Sequence, residues 1–261
     1  MSENKAGLAA GAILEAWRSG TTIDGIPERC WPANENEGYE AQDALAEAIG
    51  EPLVGYKLGA TSPGAQEIFG VDKPFVGLMF ESALKESGAR IAKDDVTLYA
   101  IEAEFVFRFS ADLPARADDY SLDEVMAAAG EMMPAIEVPD TRLAAGPKSG
   151  IAQVLADDGL ARYLVLGPTV GGWREADLAA HAVAIRINGE TVSEGSGANV
   201  LGDPRIALQW LVNHRSSRGK DIRAGEVVTT GSAAALVKVQ PGDAVEADFG
   251  AYGVVTVDFD G

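Results

Sequence analysis

The segment Ile101-Glu102-Ala103-Glu104-Phe105 alternates apolar side chains with carboxylates. In a strand, residues two apart share a face, so Glu102 and Glu104 present neighbouring carboxylates in one direction while Ile101, Ala103 and Phe105 turn to a core. Two like charges at that spacing repel unless a cation lies between them. The alternative is a solvated strand face. Glu137 adds a third acid, inside the apolar run Met133-Pro-Ala-Ile-Glu-Val138, where an unpaired carboxylate is expensive to bury. Three carboxylates from two strands, with no His or Cys nearby in sequence, make a hard-oxygen set suited to Mg2+ or Mn2+ rather than Zn2+.

Lys57 is the cationic counterpart. It interrupts a short apolar strand, Val54-Gly-Tyr-Lys-Leu-Gly59, whose glycines permit close backbone approach. Two readings stand: a lysine snorkelling from a strand edge, or an ammonium held against a ligand carboxylate or moving a proton. His181 and His214 lie in or beside helical patterns and are left out of the site. Phosphate-binding glycine fingerprints and a Gly-x-Ser-x-Gly elbow are absent. Cys30, beside Trp31-Pro32, reads as a packed thiol.

The elements that must position these residues follow from periodicity. Leu8, Ile13, Leu14 and Trp17 share one face of a helix over 7–18, and Tyr39, Gln42, Leu45 and Ile49 share one over 38–49 that stops at Gly50. These define a small helical amino-terminal part, residues 1–52. From 53 to 261 the texture is short β segments with Gly punctuation. Strands are expected over 54–59, within 96–110, and over 133–138, 182–187, 190–193, 226–230, 235–239, 244–247 and 252–259, with an Asn188-Gly189 hairpin turn. Ser62-Pro63 and Asp203-Pro204 start helices, and Ser121-Leu-Asp-Glu124 is a capping box. The order reads as α+β: a helical cap, then a mixed, mostly antiparallel β core with two or three helices.

Composition limits the partners. The 261 residues carry 21 Lys and Arg against 40 Asp and Glu, a formal charge of −19. That field repels phosphate backbones and anionic headgroups, so neither nucleic acid nor a membrane is an expected partner. No apolar stretch approaches the ~18 residues that span a bilayer. The first residues carry no export pattern and a single Cys forms no intrachain disulfide, so a reducing cytoplasm is expected.

In order along the chain, Gly55-Tyr-Lys-Leu-Gly-Ala-Thr-Ser62, Gly70-Val-Asp72, Glu102-Ala-Glu104, Pro134-Ala-Ile-Glu137, Leu201-Gly-Asp-Pro204, Gly225-Glu-Val-Val-Thr-Thr-Gly231 and Gly242-Asp243 resemble the 2-keto-4-pentenoate hydratase/4-oxalocrotonate decarboxylase group of the fumarylacetoacetate hydrolase superfamily. The resemblance runs from Ile13 nearly to the carboxyl terminus. It implies a mixed β-sandwich roll with a smaller helical amino-terminal part, a divalent metal (Mg2+ or Mn2+), and a homo-oligomer. Carried across by motif, Glu102, Glu104 and Glu137 are the metal ligands and Lys57 the active-site lysine. The implied substrate is a small anionic 2-oxo acid, and the implied reaction is hydration of 2-hydroxy-2,4-dienoates in aromatic catabolism. Decarboxylation of 4-oxalocrotonate type uses the same electrostatic device and is the first alternative. Acylpyruvate hydrolysis and a binding protein without catalysis are the others.

The chain departs from that pattern at two places. Where many of the hydratases resemble Pro-Asp-aromatic-Gly, it reads Pro74-Phe75-Val76-Gly77, and the decarboxylases resemble it in being apolar there. Where many relatives resemble Ala-Asp-Asn, it reads Ala156-Asp157-Asp158, adding a negative charge near a pocket for an anion. Phe75, Asp158, Ser62 and Ser232 are therefore the expected substrate contacts.

Overall fold

The computed structural model describes residues 3–261. Two helices come first, α1 (Glu3–Ser19) and α2 (Glu35–Ile49). Helix α2 starts three residues before the apolar pattern, because the Asn34 side chain caps it by accepting from Glu37 N, and it ends at Gly50 in the left-handed conformation. Ile13 and Leu45 bury between the two helices, together with Ile26 and the thiol of Cys30.

The rest of the chain alternates strands with short helices. Strand β1 (Leu53–Gly59) precedes α3 (Pro63–Phe69), and β2 (Phe75–Phe80), β3 (Leu84–Glu86), β4 (Ala89–Ile91) and β5 (Ala100–Phe109) follow. Helix α4 (Leu122–Ala128) runs straight into β6 (Ala129–Val138), and its capping box is complete, with Ser121 and Glu124 each accepting from the other's backbone. Then come α5 (Ile151–Ala156), β7 (Tyr163–Leu166), the hairpin β8 (Ala182–Ile187) and β9 (Glu190–Ser196), and α6 (Pro204–Ser217). The chain closes with β10 (Val227–Ser232), β11 (Val237–Lys238), β12 (Ala244–Asp248) and β13 (Val254–Phe259).

These strands form two mixed sheets. The larger has the order β2-β1-β10-β5-β6-β7-β3 with β11 added to β5, and the smaller β4-β13-β12-β8-β9. Most pairs are antiparallel; β1 with β10, β3 with β7 and β4 with β13 are parallel. Phe105, Phe107, Ile136 and Val228 on one face of the larger sheet meet Ile185, Val245, Phe249 and Val257, and α6 adds Leu208 and Leu211. The opposite face carries a smaller apolar cluster around Val106, Met133 and Leu164. That face also bears the acids.

Four α-helices follow residue 53, where periodicity suggested two or three. The missed one, α5, has six residues, too few to show a helical period. The expected strand over 235–239 is reduced to two residues because only Val237 and Lys238 find a partner, on β5.

A buried ion pair ties the helical part to the site. Arg142 and Asp157 are 3% and 0% exposed; Arg142 Nε donates to Asp157 Oδ1 at 2.5 Å and Nη2 to the Asp157 carbonyl at 2.7 Å. The guanidinium lies 4.3 Å from the Trp17 ring of α1. Arg142→Ala leaves the Asp157 carboxylate buried and unpaired, so it should cost about 3–5 kcal/mol in urea unfolding, whereas Arg142→Leu with Asp157→Leu should cost much less. Equal losses from the two variants would show that the pairing contributes nothing beyond packing.

Candidate active site

Strand register brings the acids together. β5 and β6 run antiparallel with Glu102 opposite Glu137 and Glu104 opposite Ala135. Residues directly opposite share a face, so the three carboxylates leave the same side of the sheet. One oxygen from each lies within 4.8 Å of the others. Glu104 and Glu137 are fully buried and Glu102 is half-buried, so this is no solvated strand face.

Lys57 reaches the same face from β1. It stands opposite Thr229 of β10, which in turn stands opposite Val106 of β5. Its Nζ lies 3.2 Å from Glu137 Oε1 in a pair that is almost wholly buried. Burial pushes the ammonium's pKa down, but Glu137, Glu102 and Glu104 push it up and prevail. Lys57 is therefore a protonated donor rather than a free base.

The acids respond in the opposite direction. Burial, then the neighbouring Glu137 charge, raises Glu102 to about 8 against the ordinary 4.5, with Lys57 opposing. Glu104 is pushed well above the carboxylate range by burial, Glu137 and Glu102. One Glu104 oxygen, Oε2, accepts from Thr229 Oγ1 and from Gly231 N at 2.7 Å. Gly231 has φ +103, and the position of a Cβ there is taken by Thr61 Oγ1, so only glycine delivers that N–H.

The other oxygens await a partner. Glu104 Oε1 and Glu137 Oε2 are buried without a hydrogen bond, and Glu137 Oε1 has only the Lys57 ammonium. Three carboxylates against one ammonium leave two uncompensated negative charges in a site that excludes water, and a divalent cation cancels them. Oxygen-only donors fit Mg2+ or Mn2+. Among the described residues this is the one group of three or more acids, histidines or cysteines spaced to hold an ion.

Phe75 forms a wall beside this cluster. Its ring centroid is 5.8 Å from Lys57 Nζ, it packs edge-on against Phe69, and it fills the space a Cβ on Gly59 would need. Asp158 adjoins the wall: Oδ1 accepts from Leu78 N at 2.8 Å and Gln42 Nε2 at 3.0 Å, and Oδ2 is buried without a partner. Burial lifts it to about 7. The Ser232 hydroxyl bonds to Glu102 and to the Ala234 carbonyl. Ser62 caps α3 by accepting from Ala65 N at 3.3 Å. His181 bonds the Phe249 carbonyl and His214 stacks on Trp210, both away from the acids.

Thr229, Gly231 and Gln42 are the contributors that sequence reasoning left without a role. The first two sit in the Gly225–Gly231 motif, which carried the signal; Gln42 sat on a helix face read only as packing.

Comparison with known proteins agrees with this architecture. The chain belongs to the fumarylacetoacetate (FAA) hydrolase C-terminal family, which matches residues 61–259. It is 30% identical over 255 residues to a 2-keto-4-pentenoate hydratase of Paraburkholderia xenovorans (strain LB400), covering 97% of this chain and 94% of that one. It is likewise 30% identical over 250 residues to a 2-hydroxyhexa-2,4-dienoate hydratase of Comamonas testosteroni, covering 95% and 94%. Among solved structures, the 4-oxalocrotonate decarboxylase from Pseudomonas putida G7, complexed with magnesium and adipate, superposes with a TM-score of 0.91 at 28% identity, covering 99% and 98%.

The raised acids make stability depend on pH. Glu102 keeps a proton in the folded, metal-free chain up to about 8, whereas in the unfolded chain it loses it near 4.5. Its contribution is therefore complete below about pH 4.5 and is lost as pH rises through about 8. Urea unfolding of chelator-treated protein should show stability declining from pH 5 to pH 8, and saturating Mg2+ or Mn2+ should flatten that decline. A slope indifferent to the metal would remove these carboxylates as its ligands.

Proposed function

We propose that this protein is a metal-dependent lyase that hydrates 2-hydroxy-2,4-dienoates to 4-hydroxy-2-oxo acids. One observation carries the reading: Glu102, Glu104 and Glu137 converge, buried, with Lys57 protonated at their edge. The two hydratases matched over nearly the whole chain support it, as does the magnesium bound by the decarboxylase of the same fold. Glu102, Glu104 and Glu137 hold the cation. When bound, it supplies a Lewis acid for the carboxylate and 2-oxygen of a 2-oxo acid, stabilising the charge that develops there as the dienol ketonises.

The chain's own residues do the rest. Lys57 Nζ carries positive charge and a donor hydrogen to the substrate carboxylate. Phe75 and Phe69 close one side with apolar surface and limit water there. Ser232 and Asp158 flank the space, and Ser62 orients α3 over it. Water then adds to the conjugated 2-oxo acid.

A second reading, decarboxylation of a 4-oxalocrotonate-type substrate, is favoured by Phe75 itself. An aromatic ring offers no proton-handling group where the hydratases carry an acid. Acylpyruvate hydrolysis is disfavoured, since neither histidine approaches the acids.

We read the larger sheet as curling into a mixed β-sandwich roll, because Met79 at one end of its strand order shares a cluster with Leu164 near the other. Residues 1–52 form its helical partner and 53–261 the catalytic core. Exposed Ile68, Val192, Leu236 and Val254 support a homo-oligomer. The single buried Cys30 supports a cytoplasmic location, and no helix among the described residues is long and apolar enough to cross a membrane.

Ultraviolet absorbance of a 2-hydroxydienoate should fall with Mg2+ present and persist under chelator. Lys57→Ala should lower kcat by about 100-fold or more, and Glu104→Gln should abolish metal stimulation. Carbon dioxide release would move the assignment to the decarboxylase; the absence of metal-dependent turnover of any 2-oxo acid would move it to a binding protein.

A further inference from the structure

A second charged feature lies away from the carboxylates, where the last turn of α6 meets α2. Arg215 is only 9% exposed, yet its guanidinium makes no hydrogen bond and no ion pair among the described residues. Its one described contact is the face of Tyr56, 4.0 Å away. In a chain with 40 acids, a buried arginine without a carboxylate is anomalous, because an unpaired buried charge is costly. Its Nε and the neighbouring His214 Nε2 are both buried atoms without partners.

These two residues line a notch of about 10 Å³ that opens to solvent, room for the centre of one water-sized group. Arg218 and Lys220 stand at its mouth, Tyr39 and Gln42 form its other wall, and Asp43 pairs with Lys220. Positive charge is in excess here. Burial, then Arg218, Arg215 and Lys73, lowers the His214 imidazole to about 4, with no acid opposing.

We propose that this notch is a binding site for a small oxyanion of the sulfate, phosphate or free carboxylate class, one oxygen seated against Arg215 and the rest held by Arg218 and Lys220. The guanidinium fork matches such an anion, and the notch admits a single oxygen. The site is separate from the metal cluster but connected to its wall: Gln42 Nε2 donates to the Val76 carbonyl at 2.9 Å and to Asp158 Oδ1 at 3.0 Å.

The chain has only two histidines, so the two imidazole Hε1 resonances report the site directly. Sulfate titrated into Mg2+-loaded protein at constant ionic strength should shift the His214 signal saturably and leave His181 unmoved. Arg215→Gln should abolish the shift and Arg218→Ala, at the rim, should weaken binding about tenfold. Glu104→Gln should leave the isotherm intact. An unmoved or linearly drifting His214 signal overturns the proposal, as does a notch covered by a second copy of the chain, which would make His214 unresponsive. An isotherm that survives both arginine variants but is lost in Glu104→Gln places the anion at the metal cluster and overturns it equally.

Discussion

Repulsion among three buried carboxylates governs this structure. Glu102, Glu104 and Glu137 are held within 4.8 Å by a sheet register that cannot relax without moving β5 against β6. A one-residue slip would carry the whole set to the other face, into the aromatic core around Phe105 and Phe107. The hydrophobic face thus enforces the electrostatic one. Lys57 offsets part of the repulsion, and protonation offsets more, which is why Glu102 and Glu104 titrate so far above ordinary carboxyls. Such a site is unstable as an ionised protein surface and complete as a cation's coordination shell.

The surrounding structure serves that shell. Glu104 is oriented by Thr229 and Gly231, both on β10, the strand that separates Lys57 from β5. The same strand thereby sets the distance between ammonium and acids and fixes one carboxylate's rotamer. Behind β2, Gln42 and Asp158 satisfy Val76 and Leu78, backbone groups on a sheet edge that would otherwise be exposed. The strand carrying Phe75 is thereby anchored to α2 on one side and to the 157–160 turn on the other. The Arg142 and Asp157 pair anchors that turn to α1 through Trp17. The helical part therefore braces the wall of the site through polar contacts rather than merely capping it.

What sequence made legible was whatever local pattern encodes. The period-two alternation at 101–105 disclosed the acidic face, the capping box at Ser121 began its helix where expected, and the ordered motifs led to the family. Tertiary pairing stayed hidden. Nothing local says that Glu137 faces Glu102, because register is a property of two strands. Val237 and Lys238 resembled their neighbours at 235–239, yet only they found a partner on β5. Asp158 was legible as a departure from the family pattern, but its bonds to Leu78 N and Gln42 depend on contacts between segments far apart in sequence. Ser62 shows the reverse difficulty, since a serine before Pro63 reads equally as a helix cap and as a ligand contact.

The charge of −19 takes on a different meaning beside these two sites. Exposed charges act over about 8 Å at physiological ionic strength, so the surface sets solubility and long-range repulsion but not the potential inside a buried cleft. At the acids, one ammonium and a divalent cation bring three carboxylates to neutrality, and a small anion can enter. At Arg215 the imbalance runs the other way, with buried cationic charge and no carboxylate to meet it. An acidic protein that handles anions must concentrate its few cations where the anion sits. Lys57 and Arg215 are two that this chain has taken out of water, and each lies against a space shaped for an anion's oxygen.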